Sequence, residues 1–364
     1  MPLFAIQVYT LALHVWIARR VNRRWVTLCL IAASAWMIVM PPFTMKVDGA
    51  RVSSPVISWL MASTLFWVLV VTSVVLALLL SRAGRPFEPG RRRFLAQAIP
   101  VAGFAPVAMA AAGAVAARRI DVIQRDLFLP GLPKDLHGLR IAQLTDVHFG
   151  AFFGPADLER AVAMANEWRP HVTVLTGDLI TRFGDDLDGC LRILSRLKAE
   201  AGVLGCHGNH ERYARCEALA TREAARFGMR LLRRANETLR FGQAKLNLVG
   251  FDYQSLGTKY LPGAESLIVP DALNVLLQHN PDVLPRAAEA GFALTLAGHT
   301  HGGQINLEVA GTAFNMAAIY TPYTRGLYHH KGSALYVSSG LGTVAVPVRL
   351  GAPPEVSLLR LCAA

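Results

Sequence analysis

The chain has 364 residues, 53% hydrophobic and 17% charged, with a mean hydropathy of +0.35, a balance unsuited to an entirely water-borne protein. Its formal charge of +12 is lopsided: residues 1–125 hold 14 Lys and Arg against 3 Asp and Glu, and residues 126–364 hold 23 against 22. Basic residues confined to the flanks of apolar segments orient a membrane protein, whereas a nucleic-acid-binding domain carries them on its folded part, so no nucleic-acid partner is expected.

In chain order, residues 2–18, 25–43 and 56–80 are apolar runs free of Asp, Glu, Lys and Arg, and a fourth, 94–117, is Ala- and Gly-rich with Pro100 and Pro106. Crossing about 30 Å of hydrocarbon takes about 20 such residues, so residues 1–125 are expected to form a transmembrane region of about four helices. Arg19, Arg20, Arg23 and Arg24 lie between the first two runs, and Arg82, Arg85, Arg91, Arg92 and Arg93 between the last two. Positive loops stay inside, which predicts a multi-pass bacterial inner-membrane protein with everything after residue 118 on the periplasmic or extracellular side. Arg91-Arg92-Arg93-Phe94-Leu95 also resembles a twin-arginine export signal, and either reading exports the carboxy-terminal part. The five cysteines, Cys29, Cys190, Cys206, Cys216 and Cys362, form no CxxC pair and point to no disulfide framework.

From Leu139 the texture becomes short apolar runs ending in polar clusters, with helix-like stretches between them, which reads as an α/β domain over residues 126–364. Leu139–Thr145 is a predicted strand ending at Asp146-Val147-His148. After a helix over Pro155–Trp168, His171–Thr176 ends at Gly177-Asp178, and Gly202–His207 leads to Gly208-Asn209-His210-Glu211. Val275–Gln278 then runs into His279, and Phe292–Ala297 into Gly298-His299-Thr300-His301-Gly302-Gly303-Gln304. Open α/β sheets place ligands at the carboxyl ends of their strands, so these clusters become neighbours. Two aspartates, one asparagine and four histidines are mixed oxygen and imidazole donors suited to Mn, Fe or Zn. Seven exceed the needs of one ion. Two ions sharing a carboxylate would use all of them, hold a phosphoryl group and activate a water as hydroxide at neutral pH.

Asp146-x-His148, Gly177-Asp178, Gly208-Asn209-His210-Glu211, His279 and Gly298-His299-x-His301 resemble, in order and spacing, the five signature blocks of the calcineurin-like metallophosphoesterases. The likeness covers about residues 137–362. Gly298–Gln304, the tail Leu335–Gly342 and Pro354-Glu355-Val356 are similar to a bacterial membrane-associated branch. The resemblance implies a four-layer α/β/β/α sandwich. It also implies a first metal on Asp146, His148 and His301, a bridging Asp178, and a second metal on Asn209, His279 and His299. His210, unmetallated, would steady the phosphoryl oxygen or protonate the leaving group. Thr181 stands where many relatives carry a second acid in Gly-Asp-x-x-Asp, and Glu211 where Asp is commoner.

Among the other histidines, His207 is expected to cap a strand end, His329 and His330 to lie in a surface loop, and His14 and His137 to be unexceptional. The stretch Thr321–Gly332 is expected to border the cleft. The implied activity is hydrolysis of a phosphate ester or pyrophosphate, with a lipid-linked substrate such as a UDP-2,3-diacylglucosamine-like molecule suited to a membrane-tethered site. A nucleotide sugar made in the cytoplasm would not meet an exported site. The contrasting class is a catalytically silent metal-binding sensor on the same fold.

Overall fold

The computed structural model describes residues 2–21, 24, 27–35, 59, 62–64, 66–68, 70–75 and 108–364, the last range without 256, 310 and 311. The chain divides into two compact units, Met1–Ala114 and Val115–Ala364. In the first, helix α1 (Pro2–Val21) covers the first expected span. It carries Gln7, Thr10 and His14 among its apolar residues and closes on Arg19 and Arg20. Among the described residues no helix is long and apolar enough to cross a membrane. The runs 25–43, 56–80 and 94–117 and the arginines of 82–93 lie wholly or partly outside those residues.

His14 is more engaged than expected. It is buried, its Nδ1 lies 2.6 Å from Ser34 Oγ, and Trp67 Nε1 donates to its Nε2 at 3.0 Å. Because the Ser34 hydroxyl donates to the Leu30 carbonyl at 2.7 Å, the proton between His14 and Ser34 belongs to His14 Nδ1. The neutral ring therefore ties three helical stretches of the apolar unit together.

The second unit begins with strand β1 (Asp121–Leu129), which runs across residue 125, followed by β2 (Arg140–Leu144), helix α2 (Pro155–Glu167), β3 (Val172–Thr176), α3 (Leu187–Leu194) and β4 (Val203–Cys206). Then come α4 (Asn209–Tyr213), α5 (Glu217–Arg226), β5 (Met229–Leu231), β6 (Ala235–Phe241), β7 (Ala244–Gly250), β8 (Ala272–Leu277), α6 (Leu284–Ala290) and β9 (Leu294–Ala297). A hairpin β10 (Asn306–Val309) and β11 (Thr312–Asn315), then β12 (Gly326–His330), β13 (Ser333–Val337) and β14 (Glu355–Ala363), complete the chain.

Among the described residues two six-stranded mixed sheets form, in the orders β1-β14-β2-β3-β4-β5 and β12-β13-β9-β8-β7-β6. Alternation along each strand sorts side chains into separate cores. Ile141 and Val174 of the first sheet meet Leu248, Val275 and Leu296 of the second in one cluster. On the first sheet's other face, Ala142 and Leu175 pack against Leu158 of α2, Leu191 of α3 and Ala220 of α5. Val249 and Leu276 of the second sheet pack outward on Ala287 of α6. Helices thus flank a sandwich of two sheets.

The parallel strands β2, β3 and β4 lie in one register, Leu144 beside Leu175 and Thr176 beside Cys206, and β8 and β9 pair Leu277 with Leu296. Their carboxyl ends therefore finish at matched levels, which brings the five polar clusters together. One expectation fails at the edge: His329 and His330 are strand residues of β12, not a loop. Lys331 and Gly332, with φ of 47° and 82°, form a two-residue turn into β13, so pairing continues up to the turn.

Candidate metal centre

Five of the seven expected donors sit on left-handed backbone: Asp146 (φ 50°), His148 (47°), Asp178 (56°), His299 (74°) and His301 (52°). L-residues adopt that region at a cost, so the surrounding bonds must impose it. Asp146, His148 and Phe149 donate their main-chain N–H groups to the carbonyls of Gly177, Asp178 and Leu179 at 2.9–3.0 Å, which locks the two loops side by side. The loops also approach each other closely. A Cβ on Gly208 would stand 2.1 Å from Asp178 Oδ1, and one on Gly298 2.2 Å from Asp146 Oδ2, so both positions require glycine.

Among the described residues the side chains converge as three overlapping groups linked through His148 and Asp178. Asp146, His148 and His301 bring donor atoms within 4.8 Å of one another, as do Asp178, His279 and His299, and as do His148, Asp178 and His210. His148 Nε2 lies 3.2 Å from His301 Nε2 and 3.6 Å from Asp178 Oδ2, and His301 Nε2 lies 3.2 Å from Asp146 Oδ1. His279 Nε2 stands 3.0 Å from Asp178 Oδ2 and 3.8 Å from Asp146 Oδ1. Asn209 opens α4 beside them. Asn209 Oδ1 is buried with no hydrogen-bond partner among the described residues, and His279 Nε2 is buried facing the Asp178 carboxylate. An unsatisfied buried oxygen and a pair of buried carboxylates are what a cation would satisfy.

Electrostatics point the same way. Burial drives His148 and His301 well below the usual imidazole range and His299 to about 3, which leaves each ring neutral with a lone pair to give. His279 is opposite in sense: burial pushes it down, but the charges of Asp178 and Asp146 outweigh that and raise it to about 10. Burial lifts Asp146 to about 6. For Asp178 the upward push of burial is overcome by His279, His210 and His148, which hold it well below the usual carboxylate range. In this charge pattern one proton on His279 balances the carboxylates, and an incoming cation takes its place.

His210 belongs to the linking group, with His148 and Asp178. Its N–H donates to Asp178 Oδ1 at 2.9 Å, and its ring meets that of His148 edge-on at 4.6 Å. Nδ1 lies 2.5 Å from the Thr181 carbonyl, which only accepts, so Nδ1 carries the proton and Nε2 remains available. Nε2 of His207 is bonded to Thr221 Oγ1 at 2.8 Å, and His207 joins none of the groups. Thr321–Gly332 borders the site: Thr300 Oγ1 donates to the Thr324 carbonyl at 2.6 Å, and Arg325 packs beside Gly302.

Two residues support the site through contacts that the sequence does not announce. The buried carboxylate of Glu211 accepts N–H bonds from Asp178 at 3.0 Å, Leu179 at 2.6 Å and Gly208 at 2.7 Å, and so clamps the ends of β3 and β4 together. Fully buried Arg349 gives its guanidinium to the carbonyls of Ser339, Gly340, Gly342 and Ala352 and reaches His301 Nδ1 at 3.3 Å. Glu211 was visible as a motif residue whose partners were not. A lone Arg in Pro347-Val348-Arg349 carried no signal.

The sandwich, with imidazoles and carboxylates gathered at its strand ends, defines a metal-dependent phosphoesterase. The family described as calcineurin-like phosphoesterase matches residues 139–303. The chain is 30% identical over 242 residues to the metallophosphoesterase YkuE of Bacillus subtilis, covering 63% of this chain and 81% of that protein. It is 29% identical over 267 residues to a zebrafish transmembrane protein with a metallophosphoesterase domain, 68% of this chain but only 58% of that one. It is 28% identical over 231 residues to the phosphodiesterase YaeI of Escherichia coli, 61% and 82% of the two chains. The chain belongs to the calcineurin-like metallophosphoesterase family, and it is a hydrolase of phosphate esters that uses divalent metal.

Burial holds His207 neutral, with its pKa lowered from 6.5 to about 4, so the folded protein resists a proton that the unfolded chain takes up at pH 6.5. Stability tied to this ring is present above pH 6.5 and is lost as pH falls toward 4, at most about 3 kcal/mol. Urea midpoints of the metal-free protein from pH 7 to pH 4 should therefore fall less steeply for His207→Gln than for the wild type. Equal slopes would assign the acid sensitivity to other groups.

Proposed function

We propose that the chain is a membrane-anchored phosphoesterase that holds two divalent transition metals and hydrolyses a phosphate ester or pyrophosphate, lipid-linked in type, outside the cytoplasm. The observation that supports the binuclear part is that the Asp146, His148 and His301 group and the Asp178, His279 and His299 group are linked through His148 and Asp178, with Asn209 Oδ1 buried and without a hydrogen-bond partner among the described residues. The residues fit two ions: Asp146, His148 and His301 would hold one, Asn209, His279 and His299 the other, and Asp178 would serve both. Bound there, the metals supply Lewis acidity for a phosphoryl oxygen and lower the pKa of a water. Asp178 is oriented for this by the His210 N–H on Oδ1, which leaves Oδ2 toward His279 and His148. His210, with Nδ1–H given to the Thr181 carbonyl, presents Nε2, which would protonate a departing oxygen when the ring carries a second proton there as imidazolium. Anchoring is supported by the apolar runs of the first third and by relatives from zebrafish and cattle named transmembrane proteins.

Purified full-length protein reconstituted with Mn²⁺ should carry two equivalents of metal and cleave a generic aryl phosphodiester. Asp178→Asn should lose turnover and retain neither ion firmly, because an amide has no charge to share between two cations. One equivalent in the wild type after full reconstitution would sink the binuclear reading.

Replacing His210 by Ala should lower kcat by about 10²–10⁴ for alkoxide leaving groups while metal content stays constant, and far less for nitrophenolate, which departs unaided. Equal losses for both would move His210 from the leaving group to the phosphoryl oxygen.

Side of the membrane is tested by protease in spheroplasts. The catalytic unit should be cut from outside, and protection until lysis would place the site in the cytoplasm and return a nucleotide-sugar substrate to first rank.

A further inference from the structure

Thr181 contacts two histidines that have different work to do. Its Oγ1 lies 3.2 Å from His148 Nδ1, and its carbonyl oxygen lies 2.5 Å from His210 Nδ1. His148 turns its Nε2 toward His301 and Asp178, so a lone pair free at Nε2 requires the proton at Nδ1, and the Thr181 hydroxyl is then its acceptor. The main chain of Thr181 is itself held, since its N–H and that of Arg182 both donate to Asp185 Oδ2 at 2.9 Å. A parallel bridge between Ile180 and Phe149 fixes the same loop against the His148 segment.

The groups behind the metal-facing rings differ. His279 donates Nδ1–H to the Thr176 carbonyl at 2.6 Å, an acceptor that strengthens a metal-bound imidazole. Behind His148 there is only an uncharged hydroxyl, and behind His301 stands the Arg349 guanidinium, a donor. A carboxylate or carbonyl in these places would make the rings better electron donors to a cation.

We propose that Thr181 is a positioning residue for both histidines: its hydroxyl selects the His148 tautomer that turns Nε2 to the metal and sets how strongly that ring binds, while its carbonyl independently selects the tautomer of His210. This rests on His148 being a metal ligand, as assigned above. Because the two contacts use different atoms of one residue, a side-chain substitution separates them.

The test uses full-length protein in detergent, loaded with Mn²⁺, with both dissociation constants read by competition against a chelator. Thr181→Val keeps the shape and the carbonyl but removes the acceptor; it should weaken one ion by about 10- to 100-fold and leave the other within about 2-fold. Thr181→Ser should restore wild-type affinity, and Thr181→Asp should tighten the same ion. The difference in rate between alkoxide and nitrophenolate leaving groups, which reports His210, should persist in Thr181→Val. Unchanged constants in both Thr181→Val and Thr181→Asp would overturn the proposal, as would collapse of the leaving-group difference in Thr181→Val. His148→Ala is the control: if it retains both ions with wild-type constants, it is the ligand assignment that fails, whereas loss of one ion there with no effect at Thr181 rejects only the role of Thr181.

Discussion

The carboxylate of Asp178 is the point on which the site turns. One oxygen takes the His210 N–H and the other faces His279 and His148, so the residue links His210 to members of both other donor groups. Such a charge, buried to this degree, is costly unless cations answer it. In the metal-free protein His279 answers with a proton, and its pKa of about 10 measures how strongly the two carboxylates demand positive charge. Divalent ions meet the same demand better, and the rings of His148, His299 and His301 are already neutral.

Keeping Asp178 there requires backbone that would not choose its own conformation. The donors on left-handed φ are tolerated because neighbouring loops are hydrogen-bonded to one another and because glycine at 208 and 298 lets chains approach within a few ångströms of the carboxylates. Glu211 binds the β3 and β4 loops, and Arg349 binds the segment 339–352 to His301. Each is a single buried charge satisfied by main-chain groups. The site is therefore stiffened by residues that touch neither substrate nor metal, which favours preorganised binding of cations over adjustment after they arrive.

The two units show different ways of placing a polar group among apolar ones. In the first, His14 is satisfied on both nitrogens by Ser34 and Trp67, so it holds helical stretches together and has no lone pair left over. In the second, His279 gives Nδ1–H to the Thr176 carbonyl and turns Nε2 to the Asp178 carboxylate, so its partners are charged where those of His14 are neutral. Residue type alone does not distinguish them; the charge of the partners does.

What the sequence determined by itself is local and periodic: apolar runs of strand length ending in Asp, Asn and His made β2, β3, β4, β8 and β9 legible, together with the Asp and His side chains that gather at their ends. Runs of about 20 apolar residues marked the first third, though α1 with Gln7, Thr10 and His14 is less apolar than a span requires. Tertiary structure decided everything that depends on distance through space. It made Glu211 a clamp, since its three partners come from residues 33, 32 and 3 positions away. It brought Arg349 to His301 across 48 residues, and it turned Thr181 from a missing acid into a hydroxyl on His148 across 33. It extended β12 through His329 and His330, because a two-residue turn at Lys331-Gly332 is a matter of φ, to which composition is only a weak guide. Side-chain identity announces which atoms can donate or accept; only the fold settles which of them meet, because hydrogen bonds and ion pairs act over a few ångströms while the residues that make them are scattered along the chain.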